Sequence, residues 1–101
     1  MSLLLPEFDV GDVPRSFGEF RDAAGALADP QTVKVSVKPP SGVITTKIYA
    51  TDVEVVRVSA GKYYIDIDAN ASGQWSVRWF SEGTGKAATE MRFKVRKSDF
   101  V

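Results

Sequence analysis

The sequence contains no cysteine and no histidine among its 101 residues. Without cysteine the chain has no disulfide, no thiolate nucleophile and no Cys-rich zinc site. Without histidine it lacks the usual general base near neutral pH and the commonest ligand of transition metals. The two absences together weigh against a hydrolase or a metalloenzyme. We therefore expect no enzymatic activity, no metal site and no cofactor.

A net charge is also missing, because thirteen Lys and Arg residues balance thirteen Asp and Glu residues. A domain that holds nucleic acid by bulk charge normally carries a clear basic excess. No apolar run approaches the length of a membrane span. The leucines at positions 3–5 lack the basic region and the cleavage site of a signal peptide. We expect neither nucleic acid nor a membrane as a partner, and synthesis in the cytoplasm.

Apolar and polar residues alternate with a period of two along most of the chain, which is typical of half-buried strands. Clusters of Gly, Pro, Ser and Asn separate the alternating segments, at intervals of about ten residues. This pattern predicts an all-β sandwich or small barrel of about seven strands. The predicted strands are residues 13–21, 33–38, 44–49, 53–58, 63–69, 75–80 and 91–96.

Two of these strands are irregular. The first carries Pro14, Ser16 and Gly18 in the phase of Phe20, where apolar residues are expected, so it suits an edge position. In residues 53–58 the valines occupy both phases, which predicts either a bulge or a strand covered on both faces.

The turn at residues 69–75 is expected to cross from one sheet to the other, and the alternative is a direct hairpin. In the third predicted strand we assign Ile44, Thr46 and Ile48 to the inward phase.

Short motifs that suggest ion or phosphate binding fail on inspection. Asp66, Asp68 and Asn70 have the opening spacing of a calcium loop, but Ala71 and Val77 stand where the loop needs Gly and Glu. We interpret this segment as a strand end running into a turn. Acidic residues near the N-terminus also suit turns better than a metal site; they are Asp9, Asp12 and Asp22. Residues 83–86 resemble the end of a phosphate loop but lack its first glycine and the following helix.

Aromatic residues divide between the two phases of the sixth strand. Trp75 and Trp79 share the phase of Val77 and are predicted to lie in the core, the alternative being a sugar-stacking platform. Phe80 and Tyr64 occupy polar phases and are predicted to lie on the surface.

If the last two strands pair, their outward side chains form one face of a sheet, with Lys47 beside them on the neighbouring third strand. That face is either a solvated surface or a docking site for an acidic partner, with Phe80 as an apolar anchor. The candidate residues are Lys47, Arg78, Phe80, Arg92, Lys94 and Arg96, with Ser76 and Glu90 between them.

Several segments together resemble a known family. They are Gly11-Asp12-Val13, Phe20-Arg21-Asp22-Ala23-Ala24-Gly25, Ala28-Asp29-Pro30-Gln31-Thr32-Val33, Pro40-Ser41-Gly42, Gly61-Lys62-Tyr63-Tyr64, Ser72-Gly73-Gln74-Trp75, Arg78-Trp79, Gly83-Thr84-Gly85 and Phe93-Lys94-Val95-Arg96-Lys97-Ser98. This pattern resembles the small immunoglobulin-like proteins encoded among the head and tail genes of tailed bacteriophages and prophages.

The resemblance implies an all-β, immunoglobulin-like β-sandwich of about seven antiparallel strands over residues 13–98, with an N-terminal arm (1–12) and a C-terminal tail (99–101). It implies a non-enzymatic virion component at the neck, tail or capsid surface, bound to other virion proteins in a symmetric assembly. A carbohydrate-binding or adhesin-type sandwich is the alternative.

Overall fold

The computed structural model describes residues 6–82 and 88–97, which form eight β-strands in two sheets. One sheet has five strands in the order β1-β8-β7-β3-β4, and the other has three in the order β2-β6-β5. The strands are β1 (Glu7–Asp9), β2 (Arg15–Glu19), β3 (Thr32–Lys38), β4 (Thr45–Ile48), β5 (Val55–Ser59), β6 (Lys62–Asp66), β7 (Gly73–Glu82) and β8 (Ala88–Arg96).

Each of the seven predicted segments overlaps one of the strands β2 to β8, whereas β1 is additional. It runs parallel to β8, with Phe8 in register with Val95. The ring of Phe8 packs edge-on against Phe93, with 5.4 Å between the centroids, and this contact attaches the segment to the sandwich. The predicted arm over residues 1–12 is therefore wrong at residues 7–9, and the sandwich is not wholly antiparallel.

The core lies between the sheets and follows the predicted phases of β3, β6, β7 and β8. Trp75 and Trp79 are 4% and 2% exposed, which confirms their assignment to the core. The other apolar core residues are Phe20, Val33, Val35, Val55, Tyr63, Ile65, Ile67, Ala69, Val77, Phe93 and Val95.

The small residues of the first predicted strand are explained by Trp79. A Cβ atom on Gly18 would lie only 2.7 Å from Cε3 of the indole, so only glycine leaves room for the ring. The Trp79 indole N–H donates a hydrogen bond to Ser16 Oγ at 3.0 Å, which satisfies a buried donor. Ser16 and Gly18 are thus the inward phase of an edge strand, and they accept a large side chain from the opposite sheet.

Two local predictions are also decided. The register between β5 and β6 shifts between Arg57 and Ser59, so the bulge is present and falls at Val58, which is 57% exposed. The chain crosses between the sheets after β6, as predicted: Val77 pairs with residues of β3 and β8 rather than with Ile67.

Substitution of Gly18 by Ala should destabilise the fold by about 1–3 kcal/mol, the usual cost of overpacking a core. Trp79 cannot swing away, because it is buried and held by Ser16. Denaturant unfolding measures the effect, and Glu19→Ala, at the next exposed position, is the control. A Gly18→Ala variant as stable as the control would contradict the tight contact.

Candidate functional site

The outer face of the five-stranded sheet carries most of the candidate residues. Pairing of β7 with β8 aligns Ser76 with Arg92 and Arg78 with Glu90. Because paired residues project from the same side of a sheet, these side chains share the face opposite the buried Trp79. Phe80 and Lys94 follow in the same phase of their strands.

Strand β3 adds two cations that the sequence analysis did not include. Lys38 pairs with Ser76, and Lys34 pairs with Phe80. The alternation of these lysines with buried valines already indicated that they point outward. The missing information was that β3, and not β4, lies beside β7. We call Lys38, Arg78, Phe80, Arg92 and Lys94 the basic face.

Three cations of the basic face have no partner among residues 6–82 and 88–97; they are Lys38, Arg92 and Lys94. Arg78 stands with its guanidinium carbon 5.4 Å from the centroid of the Phe80 ring. Many cations elsewhere in the domain do have carboxylate partners. These ion pairs join Arg15 to Asp66, Arg21 to Glu19, Lys47 to Glu54 and Arg57 to Asp29.

Arg96 lies on the same side of the sheet but is engaged within the domain. Its Nη2 lies 3.0 Å from Asp9 Oδ1, and its Nε lies 3.8 Å from Glu7 Oε2. Both carboxylates belong to β1, so Arg96 fastens β1 to β8. It is therefore less available to a partner than Lys38, Arg92 and Lys94 of the basic face.

Lys47 is not on this face, and its predicted position is wrong. It pairs with Val35, which is fully buried, so its side chain lies on the inward side of β4, an edge strand. There Lys47 Nζ lies 2.9 Å from Glu54 Oε2.

The inward phase of β4 is the reverse of the predicted one, by a slip of one residue. Tyr49, in the phase of Lys47, packs on the Tyr63 ring with 5.1 Å between the centroids. Ile44, of the opposite phase, is 59% exposed.

A shallow groove of about 340 Å³ crosses the basic face between β3, β7 and β8. Its walls combine three cations with serine hydroxyls, and Ile44 forms an apolar rim. Glu90 is the acidic group in the lining. The lining residues used below are Lys38, Ile44, Ser76, Arg78, Glu90 and Arg92.

Four of the acidic residues singled out in the sequence have structural partners: Asp9, Asp12, Asp22 and Asp66. Asp66 receives two hydrogen bonds from Arg15, at 2.7 and 3.0 Å, and this guanidinium lowers the pKa of the Asp66 carboxyl. Asp12 Oδ2 accepts the Asp9 N–H at 2.8 Å, and Asp22 Oδ1 accepts two backbone N–H groups of its own loop. Within the described ranges no three acidic side chains are placed to hold a metal ion. Residues 83–86 lie outside these ranges.

Asp29 is the centre of a polar cluster between the loop before β3 and the three-stranded sheet. Its carboxylate accepts hydrogen bonds from Arg57 (2.8 Å), from the Gly61 N–H (2.9 Å) and from the Tyr63 hydroxyl (2.6 Å). Arg57 is the main cause that holds the pKa of Asp29 far below its usual range, with the other two donors adding to it. Burial, followed by the bond to Asp29, raises the pKa of Tyr63 to about 12. These hydrogen bonds give the cluster a structural role, because they connect the loop before β3 to the three-stranded sheet.

Comparison with known proteins defines the fold. No family model matches the chain, and no curated protein matches it. Among solved structures it is similar to the crystal structure of the Lin-41 filamin domain, with a TM-score of 0.67, 16% sequence identity, and coverage of 91% of this chain and 84% of that one. The chain has an immunoglobulin-like β-sandwich fold, as predicted. Throughout the described parts, no helix is long and apolar enough to cross a membrane.

Asp29→Asn should lower stability at neutral pH by about 1 kcal/mol, which is less than the usual ~1.5–3 kcal/mol for hydrogen bonds to a charged group because Asp29 is partly exposed. The lowered pKa of Asp29 means that its contribution is present above about pH 4 and is lost as the pH falls below that value. The variant should therefore lose less stability between pH 5 and pH 2 than the wild type, in denaturant unfolding at each pH. Asp68→Asn is the control. If Asp29→Asn showed the same pH dependence of stability as the wild type, the stabilising role of the Asp29 carboxylate would be contradicted.

Proposed function

We propose that this domain is a non-enzymatic structural protein of a tailed-phage particle, and that it docks its basic face on an acidic surface of another virion protein. The observation that carries the proposal is the gathering of Lys38, Arg92 and Lys94, without partners in the described part of the chain, on one side of a neutral domain. The phage-particle part of the proposal comes from the sequence resemblance to immunoglobulin-like head and tail proteins.

Charge placement supports an interaction surface over a merely solvated one. The domain tends to pair its cations with carboxylates, including partly exposed ones such as Arg15 and Arg57. One row across three neighbouring strands places the cations Lys38 and Arg92 on either side of Ser76. Complementary acidic side chains on a partner would relieve the mutual repulsion in this row, and would mainly set the orientation and the encounter rate of docking.

The mixed chemistry of the groove favours a protein partner over a polyanion. Glu90 stands opposite Arg78 in the groove, where it would repel a phosphate backbone. Ile44 at the rim and the half-buried Phe80 offer apolar contacts. Protein interfaces combine an apolar centre with arginine and a charged rim.

The two tryptophans suggested as a carbohydrate-binding platform are not on the surface. Sugar stacking needs an exposed aromatic plane, and both tryptophans are buried. Tyr64 has its ring covered by the Arg15 guanidinium, 3.8 Å from the centroid. Phe17 is exposed on the same sheet but has no second exposed ring beside it among the described residues, so we do not propose the alternative.

The double variant Arg78→Glu, Arg92→Glu should fold like the wild type and should be incorporated into particles at least about tenfold less well, since both changes lie on exposed positions of one interface. Quantitative mass spectrometry of purified particles measures the incorporation. The control Arg78→Lys, Arg92→Lys keeps the charge and should be incorporated at close to the wild-type level. Normal incorporation of a folded Glu variant would remove the basic face from consideration.

A further inference from the structure

The outer face of the three-stranded sheet carries an apolar row that crosses all of its strands, with Phe17 exposed and Tyr64 and Val56 half-buried. Phe17, Tyr64 and Val56 are in register on β2, β6 and β5. Phe17 is 63% exposed, and its ring lies 6.1 Å from that of Tyr64. Exposed apolar side chains are ordinary singly, but a continuous row rimmed by charge is typical of an interaction site.

The rows on either side of this apolar row carry opposite charges in opposite order. On one side Arg15 on β2 pairs with Asp66 on β6, and on the other side Glu19 on β2 pairs with Lys62 on β6. Along β2 the order is therefore cation, aromatic, anion. Along β6 it is cation, aromatic, anion as well, from Lys62 to Asp66, and the two strands run antiparallel.

This arrangement is complementary to itself. Consider a second copy turned over so that a two-fold axis runs along the apolar row, between the two sheets. The axis reverses the direction along the strands and keeps the position across them. Phe17 then meets Phe17, while Arg15, which covers Tyr64 within its own copy, faces the partner's Glu19, and Asp66 faces the partner's Lys62. A contact of this kind uses the same patch on both copies, as isologous dimers do.

We propose that this face, consisting of Arg15, Phe17, Glu19, Val56, Lys62, Tyr64 and Asp66, binds a second copy of the chain in a two-fold, sheet-on-sheet contact. Within each copy Arg15 pairs with Asp66 at 2.7 Å and Arg21 pairs with Glu19 at 3.3 Å. In the proposed dimer these ion pairs join those of the partner, and the charges alternate in sign along the resulting network. Three strands at about 4.8 Å spacing and five residues at about 3.4 Å give a patch of about 15 Å on each side. That is below the standard interface, so the dimer is weak in isolation.

Sedimentation equilibrium of the purified chain from about 10 µM to about 1 mM spans the range of weak interfaces and should show reversible dimerisation. Phe17→Ser should raise the dissociation constant at least about tenfold, because each dimer loses two aromatic anchors. Phe17 is exposed, so the variant should keep the wild-type melting temperature. Ile44→Ser, an equally exposed apolar residue on the other sheet, is the matched control and should not change the dissociation constant.

A charge exchange tests the two-fold geometry itself. Arg15→Glu alone places like charges opposite each other in its homodimer, and so does Glu19→Lys alone. Mixing the two variants restores opposite charges at both contacts, so the heterodimer should form more tightly than either homodimer. Monomers at all concentrations, dimers insensitive to Phe17→Ser, or a mixture no tighter than the separate variants would each overturn the proposal.

Discussion

The buried contact between Trp79 and strand β2 fixes the arrangement of the two sheets. The indole extends from the five-stranded sheet onto Gly18 of the three-stranded one, and its N–H group has Ser16 as a hydrogen-bond acceptor. A buried donor without an acceptor would cost about 1–3 kcal/mol, so the depth and rotation of the ring are both constrained. Ser16 Oγ in turn donates to Met91 Sδ at 3.4 Å, which connects β2 to β8 as well.

The contact also determines which residues face solvent. With Trp79 inward, its strand must present Arg78 and Phe80 outward, and the paired strands follow by register. With Ser16 and Gly18 inward, β2 must present Arg15, Phe17 and Glu19. The sandwich therefore has two chemically different outer faces, one basic and one apolar with balanced charge. The two proposed contacts therefore use opposite faces of the sandwich.

The inward side of a strand can be predicted from the sequence only where bulky apolar residues occupy one of its two phases. Strand β8 places its bulky apolar residues in one phase only, and β7 does so apart from Phe80, so their inward side could be predicted. Strand β2 carries its small residues in the inward phase, and their purpose depends on a tryptophan that is distant in the chain. Strand β4 has apolar residues in both phases, and its true phase is set by tertiary contacts of Tyr49 and Lys47.

Two further features depended on strand order, which alternation does not encode. Strand β1 is only three residues long, and it is held in the sheet by the contact between Phe8 and Phe93. That contact joins residues far apart in the chain, so alternation alone does not predict it. Alternation in the sequence already indicated that Lys38 points outward. Its position beside Ser76 follows from the pairing of β3 with β7, which alternation does not predict. Arg96 is recognisable as a cation of the sheet, whereas its pairing with Asp9 required β1.

Zero-length carbodiimide cross-linking of intact particles, followed by mass spectrometry, tests the central claim most directly. The reagent joins an amine to a carboxylate only when the two are in contact. Docking through the basic face predicts links from Lys38 and Lys94 to Asp or Glu residues of another virion protein. Particles that contain the chain but show no such links, or particles that lack it altogether, would contradict the account.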